Sequence, residues 1–357
     1  MSVTVTAVAV PDDLRSAAAE PFISMIGICN AVARHDTGLD HLSAVPSEEL
    51  PAWREQTYLI HRGFLALDEG GQAVGAVQLT APREDGATEV EFELAVLPEA
   101  RGGEVEAALL ESVEHEARAL GRAAVQTYTV HRIGGDHALH PSPSGFGSVP
   151  LDAVARTYLG AGFALAQVER NSALDLRGPL ENVRTMLEDA RAAAGPDYEL
   201  VTFSPPTPPH LRDSLAFVLS RMSTDVPVGG MTITEETWDA ERVAVRDARI
   251  AAAGLMVSTA GIVHAPTGQM VAYNDLGIGA DRTRPTAQWG TLVVREHRGH
   301  RLGTIVKCAN ILRWLELVPE SPFISTFNAE ENRPMLDVNE AIGFTPLTVC
   351  GAWEKRL

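Results

Sequence analysis

Arg295, Arg298, His300 and Arg301 fall within one short stretch of a chain whose formal net charge is −18, with Gly299 and Gly303 among them. Leu292, Val293 and Val294 lead in as a short apolar run with β-branched character. Ile305, Val306, Ala309, Leu312 and Leu315 follow at helical spacing. The pattern reads as a strand, a basic glycine-bearing loop and a helix. A loop that opens a helix presents unpaired backbone N–H groups and the positive end of the helix dipole. Glycines let the main chain close on an anion, and Arg298, His300 and Arg301 add side-chain charge. Capture of a phosphate or diphosphate is the chemistry this combination fits.

The stretch resembles the acyl-CoA pyrophosphate loop of the GNAT superfamily of N-acetyltransferases. Val293 holds the valine position of the family pattern, Arg295 replaces its proline, and Arg-Gly-His-Arg-Leu-Gly at 298–303 forms the loop. Arg301 stands where the family's middle glycine is expected, so the backbone there must stay permissive while the guanidinium is offered to phosphate. The resemblance implies acetyl-CoA (or CoA) as cosubstrate. It sets the thioester carbonyl against a backbone N–H of Leu292, Val293 or Val294. The phosphates would sit on the N–H groups of Arg298, Gly299, His300, Arg301, Leu302, Gly303 and Thr304. Asn328, Asn332 and Met335 resemble the segment flanking the other side of the cofactor. Asn328 can donate and accept, which suits an amide-rich pantetheine. Asn332 also reads as a helix cap, with Pro334 in the first turn.

The implied reaction is direct attack of an amine on an acyl thioester. It needs a polarised carbonyl, a deprotonated amine and a proton for the leaving thiolate. A general base must lie within reach of the amine, directly or through one water. Residues 287–294 carry no carboxylate, so Asp275 is the first candidate and His264 the second, although either also reads as a strand-end surface residue. The tyrosine that often serves the family as acid aligns with Asn339. Asparagine is a poor proton donor, so the thiolate would take its proton from water or from another group.

The elements that must position these residues repeat. A length of 357 residues suits two domains, and a hydrophobic content of 45% suffices for two cores. The first half reads as a strand at 3–9, a helix from 11 to about 33, a hairpin at 59–67 and 73–80, and a strand at 89–96. A helix to about 120, a strand at 123–130, a helix at 152–160 and a strand at 164–176 complete it. The second half replays that order through 198–203, 210–222, 255–264, 270–278, 287–294, 323–327 and 347–354. The fold class expected is α/β, with two tandem GNAT-like domains, each a mixed, mostly antiparallel sheet flanked by helices. They cover 1–177 and 198–357, joined by a linker helix within 178–197. This arrangement resembles mycothiol synthase and other actinobacterial double-GNAT acetyltransferases.

Val96, Pro98 and Arg101 match the family's start in the first half, but Glu104 and Glu106 stand where the second has Arg301 and Gly303. A carboxylate at about 4 Å from a phosphate charge costs about 1 kcal/mol in water and about 4 at an intermediate dielectric. The first half is therefore expected to have lost tight CoA binding. Tyr158, at the position of the family tyrosine, supports the opposing reading that it still holds a nucleotide.

The negative charge argues against nucleic acid as a partner and fits either plain solubility or attraction of a cationic amine. No apolar run reaches membrane-spanning length, and the amino terminus reads as a strand rather than a secretion signal. Cys29, Cys308 and Cys350 are odd in number and far apart, which fits a reducing cytoplasm and argues against disulfides or a zinc site. No metal is expected. The expected function is acetyl transfer to a primary amine of a small molecule bound between the halves. A non-catalytic acyl-CoA sensor, and an enzyme that uses another acyl-CoA, remain as alternatives.

Overall fold

The computed structural model describes residues 3–357. The first half runs through β1 (Thr4–Val8), α1 (Glu20–Thr37), α2 (Pro46–Arg54), β2 (Leu59–Leu67), β3 (Ala73–Pro82) and β4 (Glu89–Val96). It continues through α3 (Glu104–Ala119), β5 (Ala124–Arg132), a small hairpin of β6 (Leu139–Pro141) and β7 (Ser148–Pro150), α4 (Ala153–Gly160) and β8 (Ala164–Asp175). Helix α5 (Glu181–Ala194) leads into β9 (Tyr198–Phe203), α6 (Arg212–Ser220), α7 (Met222–Asp225), α8 (Ala240–Ala252), β10 (Met256–His264) and β11 (Gln269–Ile278). β12 (Thr286–Val293), α9 (Leu302–Leu317), β13 (Phe323–Ala329), α10 (Arg333–Ile342) and β14 (Thr345–Arg356) close the chain.

Local chemistry explains several boundaries. Asp68 accepts from the N–H groups of Gly70 and Gln72, and Gly71 takes φ 79°, which folds the β2–β3 turn. Asp152 caps α4 by accepting from Ala155, and Asp239 caps α8 by accepting from Arg242. Gly343 ends α10 at φ 117°. Three helices depart from the sequence reading, of which α2 was not anticipated. The first helix lies at 20–37 rather than 11–33, because its apolar face must meet β3 and β4. Helix α8 was not anticipated, since Arg242, Arg246, Asp247 and Arg249 interrupt its apolar stripe.

The sheet is where the sequence reading meets its largest surprise. The expected pair of sheets is one continuous sheet of twelve strands among the described residues, ordered β1-β2-β3-β4-β5-β14-β8-β13-β12-β11-β10-β9. Each half gives its last strand to the other: β14 lies against β5, and β8 lies against β13. The two exchanged strands then pair antiparallel at the centre. A sheet that ended at β5 or β13 would expose unpaired N–H and C=O groups, and the exchange covers both edges.

Helices cover the two faces. Helices α3, α4, α5 and α9 pack on one face, around Leu109, Tyr158, Val183 and Ile311. Helices α1 and α2 cover part of the other face around Phe22 and Trp53, and α6 and α8 cover another part around Leu215 and Val243. Loops cross between the halves on that second face. Thr234 donates to Glu89, Arg242 pairs with Glu84, and Arg284 donates to the Ser43 carbonyl.

Trp353 of β14 is fully buried in the core of the amino-terminal half, stacked near Tyr158 at 6.1 Å. Trp353→Ala should therefore cost about 3–5 kcal/mol in urea unfolding. Hydrogen exchange should quicken in the cores of both halves; a change confined to one half would contradict the shared sheet.

Candidate active site

Two neighbouring strands part company in the second half. β12 and β13 are parallel and pair only at Thr286 with Ile324 and Ala287 with Ser325. Beyond these the strands run on to Val293 and Ala329 without a ladder, leaving a fork open through the sheet. On the other side of β12 a bulge sets Trp289 and Gly290 opposite Asp275 alone. A Cβ at Gly290 would lie 2.2 Å from the Tyr273 hydroxyl, so only glycine fits there.

The pairing decides which backbone groups face the fork. The Val294 N–H donates to the Val271 carbonyl at 2.9 Å. By the alternation of antiparallel ladders Leu292 also turns toward β11, while Val293 turns its N–H into the fork. Of the three expected donors, Val293 is thus the one with access. Val294 is instead packed in the core around α6.

The loop after β12 opens α9. Gly299 has φ 89° and Arg301 has φ 56°, the only positive φ outside glycine among the described residues. A left-handed arginine costs about 1–2 kcal/mol, and this is the position that the sequence marked as needing a permissive backbone. No side chain caps α9, so the N–H groups at its start face a cavity of about 650 Å³. Thr291, Arg301, Gly303, Asn332 and Met335 are among its walls. Arg298 is held by the carbonyls of Val293 (3.2 Å) and Asp225 (2.6 Å). His300 is not part of that wall: it is exposed and lies 5.1 Å from the Tyr198 ring, in a cluster with His264 and His297. His264, the second base candidate, belongs to this cluster beside the loop. Asn332 sits at the start of α10, but its side chain makes no capping bond, because the backbone carbonyl alone receives Met335 and Leu336.

Asp275 is not a strand-end surface residue but a buried, ion-paired one. It is buried, one oxygen lies 2.6 Å from Arg246 Nη2, and the other accepts from the Thr259 hydroxyl. Burial pushes its pKa up, and Arg246 and Thr259 oppose that shift. Taking a proton would leave the buried Arg246 guanidinium with Asp247, at 3.6 Å, as its remaining carboxylate.

Asn339 lies at the inner end of the fork, buried, in a polar cluster that the sequence did not reveal. Its Oδ1 accepts from Lys307 Nζ at 2.7 Å, and its Nδ2 donates to Asn328 Oδ1 at 2.7 Å. Asn328 lies outside the cavity wall. Burial pushes the Lys307 pKa down to about 7. The one signal in the sequence was a lysine within the apolar run of α9.

The opposite face of the fork carries Trp289 and Phe327, both partly exposed. Next to β13, on the exchanged strand β8, stands Glu169, opposite Ala329. It makes no hydrogen bond or ion pair among the described residues, and burial together with Glu91 and Glu331 pushes its pKa up to about 7. Nothing in the sequence places a first-half glutamate beside the second-half fork.

The first half has the same loop with a different filling. Gly103 opens α3, and its N–H donates to Glu106 Oε2 at 2.9 Å. Arg101, the counterpart of Arg298, pairs with Asp36 at 2.7 Å. Tyr158 is buried against Phe163, Phe92 and Trp353. The helix start that would receive an anion is occupied by the chain's own carboxylate.

No group of three or more His, Cys, Asp or Glu residues is placed to hold a metal ion among the described residues. No helix there is long and apolar enough to cross a membrane.

Residues 32–136 match the Acetyltransferase (GNAT) family, in the half whose loop is closed. No curated protein matches significantly in sequence. Among solved structures, a tandem GNAT protein from the clavulanic acid biosynthesis pathway, determined without acetyl-CoA, is 25% identical with a TM-score of 0.74, over 99% of this chain and 98% of that one. A GCN5-related N-acetyltransferase from Sphaerobacter thermophilus shares the fold at 15% identity and a TM-score of 0.59, over 99% and 95% of the two chains. A family match in the first half and a likeness of fold that runs end to end along a tandem GNAT protein are thus what this chain shares with known proteins.

Proposed function

We infer that the protein is an acyl-CoA-dependent N-acyltransferase that moves an acetyl group from acetyl-CoA to a primary amine of a small molecule, with the reaction at the fork of the second half. The observation that carries this reading is a free N–H at Val293, facing an unbonded gap that leads to an uncapped helix start. A preorganised donor at the developing oxyanion supplies about 3–4 kcal/mol of transition-state stabilisation. The diphosphate would meet the N–H groups at the start of α9, and pantetheine would lie along the free edge of β12.

The amine would enter from the face that carries Trp289 and Phe327. Glu169 and Glu91 attract an ammonium there, in keeping with the negative charge of the chain. Glu169 would take a proton from the ammonium. The nitrogen then bonds to the carbonyl carbon, the C–S bond breaks and the thiolate leaves. The first half serves as scaffold and supplies Glu169, while its own loop is filled by Glu106.

Gly303→Glu tests the cofactor site. A Cβ at this position meets only Val293 Cγ2 at 3.6 Å, so melting should be unchanged while calorimetric affinity for CoA falls about tenfold or more. Unchanged affinity would place the cofactor elsewhere. Glu169→Gln tests the base. In thiol-release assays with acetyl-CoA and a panel of amines, the wild-type rate should fall as pH drops below about 7, where Glu169 becomes protonated. The variant should be slower by about 100-fold or more and lose that acid limb; an acid limb that persisted would remove Glu169 from the mechanism. CoA binding with no thiol release from any amine would favour a sensor.

A further inference from the structure

Lys307 is fully buried on α9 and bridges the two strands where they part. Its Nζ donates to Gln288 Oε1 at 2.9 Å and to Asn339 Oδ1 at 2.7 Å. Gln288 in turn donates to the Thr326 hydroxyl at 2.7 Å. Gln288 and Thr326 are the residues immediately past the last paired positions of β12 and β13. The amine therefore stands at the crotch of the fork, on the face opposite Glu169.

No carboxylate lies within ion-pair distance of it among the described residues. β12, β13 and α10 present Gln288, Thr326, Asn328 and Asn339, none of which ionises, and the Phe344 ring lies 5.5 Å away. The titratable group that acts on it is Cys308 of its own helix. An ammonium without a counter-charge is costly to bury, and a methionine would fill the same space without that cost. Two of its three protons are directed to amide oxygens, which leaves one for an incoming acceptor.

We propose that Lys307 donates the proton that the departing CoA thiolate takes up, the task for which Asn339 is chemically unsuited. The proposal rests on the acyltransfer reading above. As the C–N bond forms and the C–S bond breaks, sulfur keeps the bonding pair. One Nζ proton passes to sulfur and yields the free thiol. Neutral Lys307 regains a proton from water before the next turnover. Of the two protons that the nitrogen loses, the first passes to Glu169 before attack and on to solvent, and the second, shed once the C–N bond has formed, leaves by the same carboxylate. Burial holds the lysine poised near neutral pH, so one group can both give and regain the proton.

The test compares the wild-type protein with Lys307→Met, and with Lys307→Gln should the methionine variant fail to fold. Each is assayed with acetyl-CoA and with the acetyl thioester of an aryl thiol, whose thiolate leaves without needing a proton. The variant should lose about 100-fold with acetyl-CoA and about threefold or less with the aryl thioester, with calorimetric affinity for CoA nearly unchanged. The kcat for acetyl transfer should fall about 100-fold, and the decline of rate above about pH 7 should disappear. A variant that loses as much with the aryl thioester as with acetyl-CoA, or that loses nothing with either, overturns the proposal. A wild-type protein that binds no CoA fails earlier, at the acyltransfer reading itself, and overturns the proposal with it.

Discussion

Between the last paired residues of β12 and β13 and their ends at Val293 and Ala329, two adjacent strands run without mutual hydrogen bonds. Everything about the site depends on that gap. Buried backbone groups without partners are costly, so a sheet does not open unless something else satisfies its edges. Here Gln288 and Thr326 replace the ladder by a side-chain bond at the closed end, and Arg298 holds the Val293 carbonyl at the open end. What remains is the Val293 N–H turned into the gap, a passage between the two faces of the sheet, and a helix start beyond it. A donor on β12, a carboxylate on one face of the sheet and an amine on the other all border this one gap.

The gap survives because the sheet around it is stiffened. By exchanging β8 and β14, the halves turn two open edges into a continuous twelve-stranded sheet. The fork in β12–β13 is thereby backed by β8 on its outer side rather than by solvent. The same exchange carries Glu169 into the second-half site and Trp353 into the first-half core. The first half thus borders the candidate active site through its last strand.

The two loops show how little sequence separates an open anion site from a closed one. Both follow a β-strand, bend through glycine and start a helix of sixteen residues. In the first, Glu106 reaches back to the Gly103 N–H and neutralises the positive end of α3. In the second, Gly303 and Thr304 leave that end open, and Arg301 accepts a left-handed backbone to hold the turn. The closed loop also keeps Arg101 on Asp36, so its cation is no longer available to a ligand.

Much of this was legible in the residues. The strand–loop–helix at 292–317, the need for a permissive backbone at Arg301 and the acidic filling of the first loop all follow from local rules of turn geometry, helix ends and charge. So does the repetition of one α/β unit. Local rules stop where partners lie far apart in the chain. Asp275 looked like a base because nothing nearby in sequence announces Arg246, on a helix hidden by its own charges. Asn339 left the proton for the thiolate to water or to another group, and its partner Lys307, thirty-two residues away, reads as one more helical residue. Glu169 carried no signal at all. Strand patterning fixes which side chains share a face, but which strand becomes whose neighbour is decided by the pairing of edges, and that pairing brings a carboxylate of the first half to the fork of the second.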